Sequence, residues 1–300
     1  MATIRAYPNG VTMGMNYSHG NPSPLRRDVI RGWSAGAVRR HKQWLYSVET
    51  EALTGQGWAI TLTLRDCPPD ADAWIAVREA WLQRVRAMGA VRWHWVVEWQ
   101  ERGVPHLHMA VYMPQVEAGD ARRFLGAWMA CAALYGPGWL SQTVKRIDGP
   151  VGWLQYLAMH ASRGVKHYQR QNKPAGWERT GRLWGYGGTW PLDAPIEATT
   201  PLVVYYRFRR LARSWRVADA RAQLVRARTL PEIDAARRRI GHARRMLKCS
   251  DPGESRYRGV SEWIPEAVTL RMLEAAGGGA ASGASAPAGS PAPERVSAPA

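Results

Sequence analysis

Residues 93–112 read Trp93-His-Trp-Val-Val-Glu-Trp-Gln-Glu-Arg-Gly-Val-Pro-His-Leu-His-Met-Ala-Val-Tyr112. Trp93, Trp95, Val97 and Trp99 recur at period two, and so do Leu107, Met109, Val111 and Met113. Successive side chains of a strand point to opposite faces, so this spacing predicts two half-buried strands, Val91–Trp99 and Val104–Met113. Glu101-Arg102-Gly103 between them is a hairpin loop. If the indoles and aliphatics face the core, Arg92, His94, Val96 and Glu98 share the opposite, open face with His106 and His108. One carboxylate and two imidazoles then converge on the open side of the sheet. This donor set, with positions left for water and a substrate oxygen, suits Mn2+ or Mg2+, and zinc accepts the same donor types. The alternative is a solvated polar face carrying a Glu–His pair. His94 reads as a surface histidine.

Outward from the hairpin, strands and helices alternate. Trp58–Arg65 alternates as a strand, and Trp74, Val77, Trp81, Val85 and Met88 lie on one side of a helix over Asp70–Met88. Ala118–Leu134 reads as a helix stopped by Gly136-Pro137-Gly138, Leu140–Ile147 as a strand and Val151–Ala161 as a short helix. The order βαββαβ predicts an α+β domain: an antiparallel sheet with helices packed on one face. A helix with Ser34 as N-cap is expected from Ser34 to about Leu53. Residues 1–33, rich in Gly, Pro and Asn, read as irregular, and 34–200 as the mixed domain. Residues 201–250 form a basic helical region, with helices over Val204–Arg228 and Pro231–Lys248. Residues 251–275 receive no assignment. Residues 276–300 are Gly, Ala, Ser and Pro with two charges, too little apolar surface to order a chain, and are expected to be disordered.

The 300 residues carry 41 Lys+Arg against 24 Asp+Glu, a net charge of +17. Leu202–Ser250 alone has 14 basic and 3 acidic residues. GC-rich coding would explain the preference for Arg over Lys but not the shortage of acids. The surplus implies a polyanionic partner, nucleic acid first and an anionic membrane surface second. No run of about 18 apolar residues predicts a membrane span. The N-terminus does not read as a signal peptide, and three isolated cysteines fit a reducing, cytoplasmic setting. No lysine precedes Ser or Thr, so there is no P-loop and no recognisable motor.

A further pair, Tyr156 and His160 in Gly152-Trp-Leu-Gln-Tyr-Leu-Ala-Met-His160, lies one turn apart on a helix face. Such a tyrosine is either packed or a nucleophile toward a phosphate. Glu98, His106-Leu-His108 and, 48 residues on, Tyr156 together resemble the HUH endonuclease superfamily. The closer resemblance is to the rolling-circle replication initiator (Rep) proteins of single-stranded DNA phages and small plasmids. Ala59-Ile-Thr-Leu-Thr-Leu64 resembles the first family motif, Pro105-His-Leu-His-Met-Ala110 the second and Tyr156-Leu-Ala-Met-His160 the third. The resemblance covers about residues 40–190 and implies a ferredoxin- or RRM-like nuclease fold.

It further implies metal held by Glu98, His106 and His108, with Tyr156 as nucleophile forming a 5′-phosphotyrosine. Single-stranded and origin DNA would be the substrate, a host helicase and DNA polymerase the partners, and the cytoplasm of a bacterial host the setting. Histidines ahead of the tyrosine match Rep proteins and single-Tyr transposases rather than relaxases, and the basic helices favour Rep. The family often has Lys three residues after the tyrosine, where this chain has Met159. His160 or Lys166 is then a candidate for its role, and Tyr168 is an alternative nucleophile. Arg65 and Arg92 on the open face are phosphate-contact candidates. Trp177, Arg182 and Trp184, near Trp190 in a Gly-rich stretch, are candidates for stacking on unpaired bases, packing being the other reading. Arg207, Arg209, Arg210, Arg237, Arg238 and Arg239 are expected to contact duplex or origin phosphates, or else to form a solvated or oligomerising face. Readings from other classes are a transposase with the same site, a non-catalytic DNA-binding protein, and an RNA phosphodiesterase using the two histidines as acid and base.

Overall fold

A computed structural model of the chain describes residues 1–15, 29–115, 117, 119–154, 157, 169, 172–248 and 261–278. The two predicted strands form the centre of a five-stranded antiparallel sheet. Its members are β3 (Gln56–Thr63), β4 (Arg92–Trp99), β5 (Pro105–Met113), β6 (Thr143–Arg146) and β7 (Trp184–Gly188), in the order β6-β3-β5-β4-β7. Register follows the alternation: Trp95 pairs Met109, which pairs Ile60, whereas Glu98 pairs His106, which pairs Thr63. Paired residues share a face, so the apolar set and the His/Glu set separate cleanly.

Helices α2 (Ala71–Ala87) and α3 (Asp120–Cys131) cover the apolar face. Asp70 caps α2 by accepting from the Ala73 N–H at 2.8 Å, and Arg84 and Arg86 in the last turn complement the helix dipole. Trp74, Trp81, Phe124 and Trp128 are buried between helices and sheet, with Trp74 and Trp81 edge-on to Trp128. Arg78 and Arg86 of α2 lie over the Trp95 and Trp93 rings at 4.0 and 4.7 Å. Those indoles also reach across β7: a Cβ on Gly187 would meet Trp93 at 2.3 Å, and one on Gly185 would meet Trp95 at 2.7 Å. The glycines in this strand make room for aromatic rings.

The opposite face is not open along its whole length. Helix α1 (Ala35–Ser47), capped by Ser34 through the Ala37 N–H, lies across its end near His94. The helix stops at Ser47, earlier than the expected Leu53, because Val48 turns extended and bridges to Leu192. The predicted strand Leu140–Ile147 is split. Residues Trp139–Ser141 form a 3-10 turn, and only Thr143–Arg146 pairs with β3.

The N-terminal expectation is overturned. Ala2–Tyr7 (β1) and Gly10–Met15 (β2) form a hairpin in a second antiparallel sheet, order β8-β1-β2-β9, with β8 (Ile196–Thr200) and β9 (Ser261–Glu262). Against it pack α4 (Leu202–Arg226) and α6 (Glu266–Gly277), enclosing Ile4, Val11, Tyr205, Phe208, Ala212 and Ile264. Helix α5 (Leu230–Lys248) runs back along α4. Thr229 and Glu232 cap it reciprocally, Glu232 accepting from the Arg228 and Thr229 N–H groups. Helix α6 occupies much of the unassigned stretch and runs into the tail at Gly277, with Ala276 buried. Residues 279–300 lie outside the described residues. Helix α1 also meets the second sheet: Tyr46 accepts from the Asn9 N–H through its carbonyl and meets Ser261 through its hydroxyl.

Candidate active site

The hairpin delivers Glu98, His106 and His108 to one face. The Glu98 carboxylate and the His108 side chain are almost completely buried, with Glu98 Oε2 3.7 Å from His108 Nε2. The His106 ring stands edge-on to His108 with centroids 4.5 Å apart, and is half-buried. The partners of the two rings come from neighbouring strands. Thr61 Oγ1, on β3, is 3.3 Å from His108 Nδ1, which turns His108 Nε2 toward the carboxylate. Gln100 Nε2 is 3.3 Å from His106 Nδ1, and Gln100 Oε1 accepts from Arg102 Nε at 2.9 Å. The remaining Arg102 nitrogens donate to the Leu64 and Arg65 carbonyls. A guanidinium only donates, so it fixes the Gln100 amide and makes His106 Nδ1 an acceptor.

Among the described residues no group of three or more His, Cys, Asp or Glu stands ready to hold a metal ion. The donor chemistry nevertheless fits a divalent cation: a buried carboxylate faces an imidazole nitrogen, and a second imidazole stands beside it. Ligation by His106 Nε2 would require the Gln100 amide to turn over and accept from Nδ1–H, since a metal-bound histidine donates through its other nitrogen.

His94 is a correction. It is fully buried, not a surface residue: its Nε2 is 2.9 Å from His41 Nε2, and its ring lies between His41 and Trp44 at 5.0 and 4.6 Å. Burial lowers its pKa to about 3. Arg92 is a second correction. It is buried and donates to the carbonyls of Thr189 and Thr54 and to the Thr54 hydroxyl, bracing β4 rather than facing a phosphate. Trp177 is a third: it is buried edge-on against Trp99, and its N–H donates to the Pro68 carbonyl. Trp190 is also buried, and its N–H donates to the Gly187 carbonyl at 3.0 Å. Trp184 is half-buried against His41. Arg209 is a fourth correction, buried in α4 at 4% exposure among the residues of the second core. Arg65, Arg182, Arg207, Arg210, Arg237, Arg238 and Arg239 are exposed, with Arg65 ion-paired to Asp66 at 2.8 Å. Tyr156, His160, Lys166 and Tyr168 lie outside the described residues. Residues 150–154 begin a helix there, with Leu154 and Leu157 in the main core.

The profile of the replication-associated protein family named for ORF2 and the phage gene II protein matches residues 57–190, the span that holds the sheet and the site. Over 279 residues the chain is 44% identical to a candidate replication protein of Xylella fastidiosa strain 9a5c, covering 90% of this chain and 94% of that one. Over 279 residues it is 38% identical to the replication-associated protein of Pseudomonas phage Pf3, covering 91% and 96%. The chain belongs to this replication-associated protein family. Its relatives are thus replication proteins of phage and bacterial origin, which fits the expected replication role. No solved structure matches the chain. Among the described residues no helix of this family member is long and apolar enough to cross a membrane.

Sequence reasoning missed Thr61, Gln100 and Arg102. Gln100 and Arg102 flank the hairpin turn as ordinary polar loop residues, and their role exists only once β3 lies beside β5.

Proposed function

We propose that the chain is a site-specific nicking and joining endonuclease that starts rolling-circle replication, with Tyr156 as nucleophile. Glu98, His106 and His108 would hold a divalent cation, Mn2+ or Mg2+. The observation that supports this reading best is the convergence of one buried carboxylate and two imidazoles on one face of the β4–β5 hairpin, in a chain of a replication family. When bound, the cation would supply Lewis-acid polarisation of a phosphate oxygen.

The chain's own residues bind, orient and attack. Thr61 and Gln100 orient the imidazoles. The Tyr156 oxygen attacks the scissile phosphorus in line. A bond from tyrosine to phosphorus forms as the bond to the 3′ oxygen breaks, and the phenolic proton ends on that oxygen. The products are a 5′-phosphotyrosine and a free 3′-OH for a host polymerase. Attack of a later 3′-OH on the phosphotyrosine rejoins the strand and restores the phenol. His160 or Lys166 would support charge at the phosphate, and Tyr168 is the alternative nucleophile. Unwinding falls to a host helicase, since no P-loop is present. The exposed arginines of α4 and α5 would hold origin phosphates.

The test is covalent capture of labelled single-stranded origin oligonucleotides on denaturing gels. Wild-type protein with Mn2+ should give an adduct that keeps only the 3′ label, and EDTA should abolish it. Tyr156→Phe should bind the oligonucleotide without forming the adduct. An adduct that persists in Tyr156→Phe moves the nucleophile to another residue, and one that persists in EDTA removes the cation from the chemistry.

A further inference from the structure

Between α3 and β6 the chain exposes apolar side chains to an unusual degree. Leu134 is 88% exposed, Leu140 97% and Trp139 45%, all within seven residues. Single exposed leucines are ordinary, but three large apolar groups on one short loop mark an interaction surface. The loop is not slack. Two short 3-10 turns, Ala133–Tyr135 and Trp139–Ser141, flank Gly136-Pro137-Gly138, and Gly136 has a φ of +55°.

The loop is also fastened to the strand that borders the site. The Gln142 side chain accepts from the Thr63 N–H at 2.7 Å and donates to the Thr63 carbonyl at 3.1 Å. The Trp128 indole donates to the same carbonyl at 3.2 Å, and the Tyr135 carbonyl accepts from the N–H groups of Arg65 and Asp66. Thr63 is the register partner of His106, and Arg102 holds Leu64 and Arg65 from the other side. A rigid loop thus presents two leucines and an indole beside the hairpin end that carries His106.

Its border is cationic. The Arg65 guanidinium lies across Gly136, where a Cβ would meet it at 2.8 Å, and Lys145 and Arg146 are exposed on β6. Asp66 and Asp148 are the acids on these same stretches. Apolar side chains that contact or part bases, with arginines beside them for the phosphates, are the chemistry of an unpaired strand. We propose that Leu134, Trp139 and Leu140 form a platform for the unpaired bases of single-stranded DNA next to the candidate site. The placement rests on the nicking reading above; the binding does not.

The experiment uses the full chain with all three residues replaced: Leu134→Ser, Trp139→Ser and Leu140→Ser. Because the three are exposed, the melting temperature should not change. In EDTA, affinity for an oligothymidylate should fall about tenfold or more, the scale of one lost base-stacking contact. The salt slope should stay the same, since no phosphate contact is removed, and so should duplex affinity. Irradiated iododeoxyuridine oligonucleotides should cross-link at Trp139 in the wild type. Unchanged oligothymidylate affinity with no cross-link would overturn the platform, and unchanged affinity with altered self-association or loss of a co-purifying replication protein would assign the loop to a protein partner instead. Adduct formation with Mn2+, scored separately, tells the two readings apart. Weakened strand binding with no wild-type adduct sinks the nicking reading alone, and a normal adduct with undiminished strand binding in the triple variant sinks the platform alone.

Discussion

At the scale of single residues, the buried His41–His94 pair sets an acid limit. An Nε2-to-Nε2 hydrogen bond of 2.9 Å needs one ring to donate and the other to accept, so both rings cannot be charged. Burial lowers the His94 pKa from its ordinary 6.5 to about 3. Below pH 6.5 the unfolded chain therefore takes up a proton that the folded chain refuses. Stability is intact above that value and falls as pH drops through the window from 6.5 to about 3. The loss should amount to a few kcal/mol near the acid end. Melting temperatures measured across this window should fall steeply for the wild type and less for His94→Phe. Equal slopes would show that other groups control acid unfolding. Nothing in the local sequence separates His94 from Glu98, which share strand and face. Only the arrival of Trp44 and His41 on α1 makes one a buried aromatic and leaves the other beside the histidines.

At the scale of elements, aromatic rings decide where strands can run. Strand β7 (Trp-Gly-Tyr-Gly-Gly) has little intrinsic strand preference, yet it pairs along Arg92–Val96. Its Trp184 and Tyr186 turn toward α1 while its glycines pass under Trp93 and Trp95. Gly187→Ala should therefore act as an overpacking change and destabilise the main sheet by about 1–3 kcal/mol in a denaturant titration. Ala at Gly14, where a Cβ would meet nothing within 4 Å, is the matched control. Equal midpoints for the two variants would mean that the indole moves aside without cost. The stretch was read from sequence as a possible base-stacking loop because aromatics beside arginine and glycine suit that role; the rings are instead largely spent on packing.

At the scale of the whole molecule, the two ends of the chain are one structure. Strand β1 lies between β2 and β8, and its inward residues Ala2 and Ile4 share a core with Tyr205 and Phe208. Removing residues 1–15 should strip that core and lower amide-exchange protection in Leu202–Arg226 far more than in Arg92–Trp99. Protection that survives in α4 would show that the helices hold together without the N-terminal strands.

The hairpin, its register and the convergence of Glu98, His106 and His108 were legible in the sequence because period-two alternation is local, and a face is defined as soon as the strand is. The same holds for α2 with its Asp70 cap and for the basic character of α4 and α5. The strands at Ala2–Met15 were not legible: they are short and interrupted by Pro8, Asn9 and Gly10, and β8, which gives β1 its second edge, lies almost two hundred residues away. Nor could local pattern tell which polar residue of a strand would be covered, so Arg92, Trp177 and Arg209 read as contacts and are buried. Chemistry follows from residue type and spacing, which the sequence by itself determines. Exposure follows from what distant segments lay over each residue, and that only the tertiary structure decided.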